Sequence, residues 1–206
     1  PAGSSLILDA SGSVTRETDW RYTRPAGTAC SLRDGWKVAF VAGGPILPSS
    51  RPLPALSDWT TWEADDSKSL RAFSGTARYT VSFDTPDDAT NSLSWKLELG
   101  RVCYSAHVFL NGTDLGKVIA RPSEIVFPAA LLRPTNNELV VEVTNLMANR
   151  LAALEKEKGD AWRPFLMVNI HYKPFDAVTW DPTPSGLIGP VRLQPLASHV
   201  PIGEQT

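Results

Sequence analysis

Two cysteines in 206 residues, Cys30 and Cys103, are too few for a disulfide scaffold, and no CxxC spacing offers a zinc or redox site. They read equally as one disulfide of an oxidising compartment or as two buried thiols. Three histidines, His107, His171 and His199, are scattered without metal-ligand spacing. A lone histidine on a strand, such as His107, is more often packed or hydrogen-bonded than a ligand. No apolar run approaches the length that spans a bilayer, so no membrane partner is expected. Positive charge is not in excess either. Twenty Lys and Arg against 22 Asp and Glu give a net charge of −2, without a basic stripe, which argues against nucleic acid. Neither an initiator Met nor a cationic start with an apolar signal core opens the chain, so a processed form or a fragment is expected. Long helical periodicity is nearly absent as well.

What the chain has instead is punctuation and alternation. Seventeen Pro and 14 Gly divide it throughout, and 42% hydrophobic residues suffice for one real core. "GWKVAF" (35–40) sets Trp36, Val38 and Phe40 against Lys37 and Ala39. "AGGPILPSSRPLPAL" (42–56) carries four prolines and reads as an irregular surface crossing. Alternation then sharpens. "SGTARYTVSF" puts Ala77, Tyr79, Val81 and Phe83 on one face; "SLSWKLELG" does so with Leu93, Trp95, Leu97 and Leu99. "VCYSAHVFL" places Val102, Tyr104, Ala106, Val108 and Leu110 together, and "ELVVEVTNL" aligns Leu139, Val141 and Val143. Period two with one buried face belongs to antiparallel sheets. Turn signals stand between the runs at Pro86-Asp87-Asp88, Asn111-Gly112 and Pro134 to Asn137. Asn111-Gly112 predicts a tight hairpin, because both residues tolerate positive φ. The glycosylation pattern Asn111-Gly112-Thr113 is read as accidental. "SGLIGPVRLQPL" supplies a closing strand, and Leu6-Ile7-Leu8 an early one. Residues 145–159 alone have helical spacing, with Met147, Leu151 and Leu154 on one face, Asn145 as cap and Gly159 as stop.

The expected fold is therefore all-β, a β-sandwich or barrel with at most one short helix. Catalytic signatures are missing. Adjacent carboxylates, Asp65-Asp66 and Asp87-Asp88, sit in turn-like contexts rather than opposed across a bond. No nucleophile elbow, phosphate loop or dinucleotide fingerprint occurs. No catalytic residue and no cofactor is assigned. A structural calcium stays open, since carbonyl oxygens can ligate it without a motif. The remaining signal is aromatic. Trp162, Tyr172 and Trp180 lie in an aromatic loop-like tract (160–184), with Arg150 and Arg163 near them and Trp59 and Trp62 in another polar stretch. Such rings stack on the apolar faces of sugars while neighbouring groups bind hydroxyls or carboxylates. They equally cap a sandwich end or dock on a neighbouring domain.

Four stretches in order, "DGWKVAF" (34–40), "LSDWTTWEADDSKSLRAFSGTARYTVSF" (56–83), "LELGRVCYSAHVFLNGTDLGKVIARPSEIVFPAALLRPTNNELVVEVTNLMANRL" (97–151) and "PSGLIGPVRL" (184–193), carry a resemblance. They resemble the C-terminal β-sandwich region of glycoside hydrolase family 106, the alpha-L-rhamnosidase-type enzymes. The block from Ser74 through "VFLNGTDLG" is also similar to the galactose-binding-like jelly rolls of β-galactosidases and β-glucuronidases. Met147 stands where an aromatic is expected, and the segment after Leu151 departs from the family pattern. In that family the chemistry lies in an upstream barrel. The resemblance thus implies a non-catalytic, jelly-roll accessory domain of a bacterial secreted, periplasmic or cell-surface enzyme. It would buttress an upstream catalytic domain of the same polypeptide and contact a plant-type or other rhamnose-containing glycan. The aromatic tract itself, read beside this resemblance, offers Trp180, Tyr172, Trp162, Arg163 and, near it, Arg150 for carbohydrate or interdomain contact. The expected organisation is 1–33 as a lead-in from an upstream domain, 34–196 as the sandwich and 197–206 as a tail. An independent carbohydrate-binding module and a purely structural module are the alternatives.

Overall fold

A computed structural model describes residues 22–63, 67–86, 92–159 and 176–199. Alternating apolar residues build two facing antiparallel sheets, as the period-two runs require. In the larger sheet, β3 (Lys37–Gly44) buries Trp36, Val38 and Phe40 at and beside its start, and β4 (Arg51–Pro52) forms its short edge. β5 (Ser74–Phe83), β8 (Ser105–Leu110), β9 (Thr113–Val118) and β11 (Asn137–Thr144) complete it in the order β4-β3-β5-β11-β8-β9. The smaller sheet contains β1 (Tyr22–Pro25), β2 (Cys30–Ser31), β6 (Ser94–Glu98), β10 (Glu124–Pro128) and β13 (Arg192–His199). Its order is β1-β13-β6-β10, with β2 also on β13. A two-stranded ladder joins β7 (Arg101–Cys103) to β12 (Gly186–Gly189). The core lies between the sheets, with Ala77, Tyr79, Val81, Val108, Leu139, Val141 and Val143 from one and Trp95, Leu97, Phe127 and Leu193 from the other.

Most of the expected faces are buried as read, but three positions differ. Leu93 precedes β6 and is 68% exposed, because the ladder with β10 begins only at Ser94. Tyr104 is 42% exposed and divides the run "VCYSAHVFL". Before it, β7 pairs with β12; after it, β8 pairs with β11, so the chain changes sheets at this residue. The closing run also splits, at Gly189-Pro190, into β12 and β13. Residues 22–31, read as connector, supply β1 and β2 to the smaller sheet. The early strand Leu6-Ile7-Leu8 and the turn at Asp87-Asp88 lie outside the described residues.

The β8–β9 hairpin turns on Asn111 (φ 52°) and Gly112 (φ 82°), both positive as a two-residue turn between right-twisted strands demands. A bulge follows: Val108 pairs with Gly116 and Phe109 with Asp114. Asn111 has a further job. Its Nδ2 donates to Leu131 O (2.8 Å) and Asn137 Oδ1 (2.9 Å), while its Oδ1 accepts from Glu138 N. An amide engaged at both ends ties the turn to β11 and to the segment before it. Cys30 and Cys103 are both free thiols.

Candidate functional site

One end of the sandwich is built by two helices and one extended segment. α1 (Ser67–Ala72) leads into β5, and α2 (Ala148–Lys158) follows β11; the two pack together. Gly159 ends α2 as expected, its N–H donating to Glu155 O. Asn145 is not the cap; Met147 holds that position without a side-chain bond. Asn145 instead reaches across the chain. Its Oδ1 accepts from Gly75 N (2.9 Å), and its Nδ2 donates to Phe73 O (2.9 Å) and Ser185 Oγ (3.0 Å). Asn149 clamps Thr183, donating to its O and accepting from its N, each at 2.7 Å. Asp58 Oδ1 accepts from Ser185 N (3.0 Å) as well as from Thr60 N and Oγ1. Three short polar side chains thus sew residues 183–185 to β5, α2 and the 3-10 turn Trp59–Thr61. Each bond satisfies a backbone or side-chain group that burial would otherwise leave unpaired.

A cleft of about 290 Å³ opens above this seam. α1 gives it Lys68, Arg71 and Ala72; α2 gives Asn149, Ala152, Ala153 and Lys156; Trp180 and Pro182 form the third wall. Positions 149, 152, 153 and 156 recur at three- and four-residue spacing, so one face of α2 lines the cleft. The alanines keep that face low and leave room above it. Trp180 is held by a turn in which its N–H donates to Ala177 O (3.2 Å), and the Ala177 N–H donates to the buried Glu155 carboxylate. The indole is 38% exposed. Arg71 Nε donates to Thr60 O (3.3 Å), which fixes the guanidinium plane at the cleft edge.

Of the residues expected to make contacts, Trp180 lines this cleft. Arg150 does not join it: one residue past Asn149 on a helix is turned about a quarter-circle away, and it is half-buried elsewhere on α2. Trp162, Arg163 and Tyr172 lie outside the described residues. Trp59 overturns the expectation of an exposed sugar-facing ring. It is fully buried, edge-on to Phe40 (5.4 Å) and Phe73 (5.8 Å). Burying an indole removes on the order of 200 Å² from water, a gain of roughly 5 kcal/mol. That exceeds the cost, about 1–3 kcal/mol, of its Nε1, which has no hydrogen-bond partner among the described residues. Trp62 is half-buried, donates from Nε1 to Ser57 Oγ (2.8 Å) and lies beneath the Arg51 guanidinium, 5.8 Å from its ring centre. Sequence reasoning missed Lys68, Arg71 and Lys156. Their only signal was three- and four-residue spacing on two helices, one of which was not anticipated.

The outer face of the larger sheet carries a broader trough, about 400 Å³, lined by Arg78, Thr80, Phe109, Val140 and Glu142. Two of the charges at the trough, Arg78 and Glu142, pair with each other (2.6 Å), Glu138 also lines it, and His107 pairs with Asp114 (2.9 Å) beside it. The His107 ring also rests on Phe109 at 4.2 Å, so this histidine is packed and hydrogen-bonded as expected. Among the described residues, no cluster of three or more His, Cys, Asp or Glu could hold a metal. No helix among them is long and apolar enough to cross a membrane.

No family model matches the chain. A Formosa agariphila protein provisionally named beta-glucuronidase is 31% identical over 213 residues, which cover 94% of this chain and 18% of that protein. A solved rhamnosidase from Novosphingobium sp. PP1Y is 29% identical with a TM-score of 0.62, covering 94% of this chain and 16% of its own. A beta-galacturonidase from Eisenbergiella tayi shares the fold at 17% identity, with a TM-score of 0.50 over 87% of this chain and 26% of its own. The chain thus spans less than a fifth of the first two relatives' length. It is similar, over nearly all of its residues, to a segment of larger glycoside hydrolases.

Proposed function

We propose that this chain is a non-catalytic accessory β-sandwich domain of a larger secreted, alpha-L-rhamnosidase-like glycoside hydrolase. It buttresses the catalytic domain and contacts glycan through the cleft at Trp180. The observation that carries this reading is the coverage: 94% of the chain corresponds to 16% of a rhamnosidase, leaving most of that enzyme elsewhere. The cleft supports the second half. An exposed indole beside a low alanine floor offers a stacking face, and Arg71 and the lysines offer donors.

Two measurements on the 206-residue chain test the proposal. The first is turnover of an aryl rhamnoside, expected to be absent. The second is calorimetric titration with rhamnose-containing pectic oligosaccharides. Trp180→Ala is expected to weaken binding by about tenfold with the unfolding midpoint unchanged. Hydrolysis by the isolated chain would overturn the non-catalytic role. Glycan affinity indifferent to Trp180→Ala would overturn the contact at this cleft.

A further inference from the structure

The Trp180 cleft is charged in one sense only. Lys68 and Arg71 stand at i and i+3 on α1, Lys156 faces them from α2, and among the described residues no carboxylate lines the walls. The ion pairs of the described residues lie elsewhere, at Arg78–Glu142, Lys96 with Glu98 and Glu124, and His107–Asp114. Of the described carboxylates nearest in sequence, Glu155 is buried and accepts from Ala177 N, while Glu157 and Asp181 are exposed without lining the cleft. Helix polarity explains part of the pattern, since cations favour a helix C-terminus. It does not explain why Lys156 faces the cleft while Lys158, equally placed for the dipole, does not. Three cations gathered with no carboxylate among the described lining residues repel one another, and an anionic ligand relieves that repulsion.

We propose that this cleft binds an anionic sugar: the ring stacks on Trp180, and its carboxylate or sulfate is bound by Arg71 with Lys68 and Lys156. This rests on the reading that the cleft contacts glycan. Arg71 suits the central role. Its Nε is committed to Thr60 O, which leaves the two terminal nitrogens to meet two oxygens of one anion side by side. The lysines act as point charges at the flanks and adapt to either anion. Asn149, already saturated by Thr183, supports the floor rather than the ligand.

Calorimetric titration of the 206-residue chain with three probes tests this: trigalacturonate, its fully methyl-esterified counterpart and a sulfated carrageenan tetrasaccharide. At least one acidic probe is expected to bind about tenfold or more tightly than the ester, and to weaken as salt is added. Which acidic probe wins identifies the anion as carboxylate or sulfate. The double variant Arg71→Met, Lys156→Met is expected to erase that preference while still unfolding cooperatively, its midpoint lowered by no more than the loss of the Arg71 Nε–Thr60 O bond. Lys158→Met, just outside the cleft, is expected to retain it. If the ester binds as tightly as both acidic probes, the charge proposal fails while glycan contact stands. If an acidic preference survives in both Trp180→Ala and the double variant, the anion binds elsewhere and the assignment fails. If no probe and no pectic oligosaccharide binds, both readings fall.

Discussion

Gly186 stands where two core rings reach the backbone. It has φ 103°, and a Cβ there would overlap the Tyr79 hydroxyl and lie 2.8 Å from Trp59 Cε3. Neither ring can yield, because Trp59 is wedged against Phe40 and Phe73 and Tyr79 is fully buried between the sheets. Burial also pushes the Tyr79 phenol well above its ordinary range, so it stays neutral. Gly186→Ala is therefore expected to destabilise the chain by about 3 kcal/mol, combining overpacking with backbone strain. Urea unfolding measures it; a loss below about 0.5 kcal/mol would show that the rings can move. The clash was not legible in the sequence, since Gly186 and Trp59 meet only through the fold. The same holds for Trp59 itself. Its polar neighbours, Asp58 and Thr60, suggested a surface ring, yet those groups are satisfied by each other and by Ser185 while the indole turns inward. Asn145 was mistaken for a cap for the same reason, because its partners stand 40 to 72 residues away.

Elements were more legible than residues wherever a local rule determines them. The hairpin at Asn111-Gly112 follows from turn chemistry alone, and β5 and β11 follow from strict alternation. The break at Tyr104 was hidden, because alternation continues through it although the partner strand changes. Within the β8–β9 hairpin, Asp114 supplies a measurable bond. The His107 imidazole donates to it foremost, and the Gly116 amide after that, which holds its carboxyl below the usual range. The folded chain thus binds fewer protons at Asp114 than the unfolded chain does. Its contribution is fully present above the unfolded value, about pH 4, and is lost as pH falls through the lowered folded value. Wild type is expected to melt above Asp114→Asn near about pH 5, with the gap closing towards about pH 3. A gap that stays constant over that interval would mean that Asp114 acts through something other than its charge.

At the scale of the whole molecule, the sandwich class was legible because many short alternating runs between turns have few other solutions. The participation of residues 22–31 was not legible, since β1 and β2 are short, polar in part and interrupted by Pro25 and Gly27. Their role comes from β13. Tyr22 to Pro25 pair with Leu196 to His199, and Cys30 and Ser31 with Leu193 and Arg192. Ala26 N donates to Pro195 O (2.8 Å) and Leu32 N to Val191 O (3.0 Å), so the attachment is nearly continuous. Leu32 is also buried in the core, a contribution of roughly 2 kcal/mol. A chain shortened to begin at Asp34 would lose that burial and expose one edge of β13 along most of its length. An unpaired edge beside apolar Leu193 and Leu196 is a template for another strand. The shortened chain is therefore expected to unfold at lower temperature than the 206-residue chain and to self-associate more strongly, by thermal melting and sedimentation velocity. Equal melting and equal sedimentation would mean that β1 and β2 merely lie on the sheet. The domain would then begin at β3, and residues 22–33 would be free to serve as the lead-in that composition alone suggested.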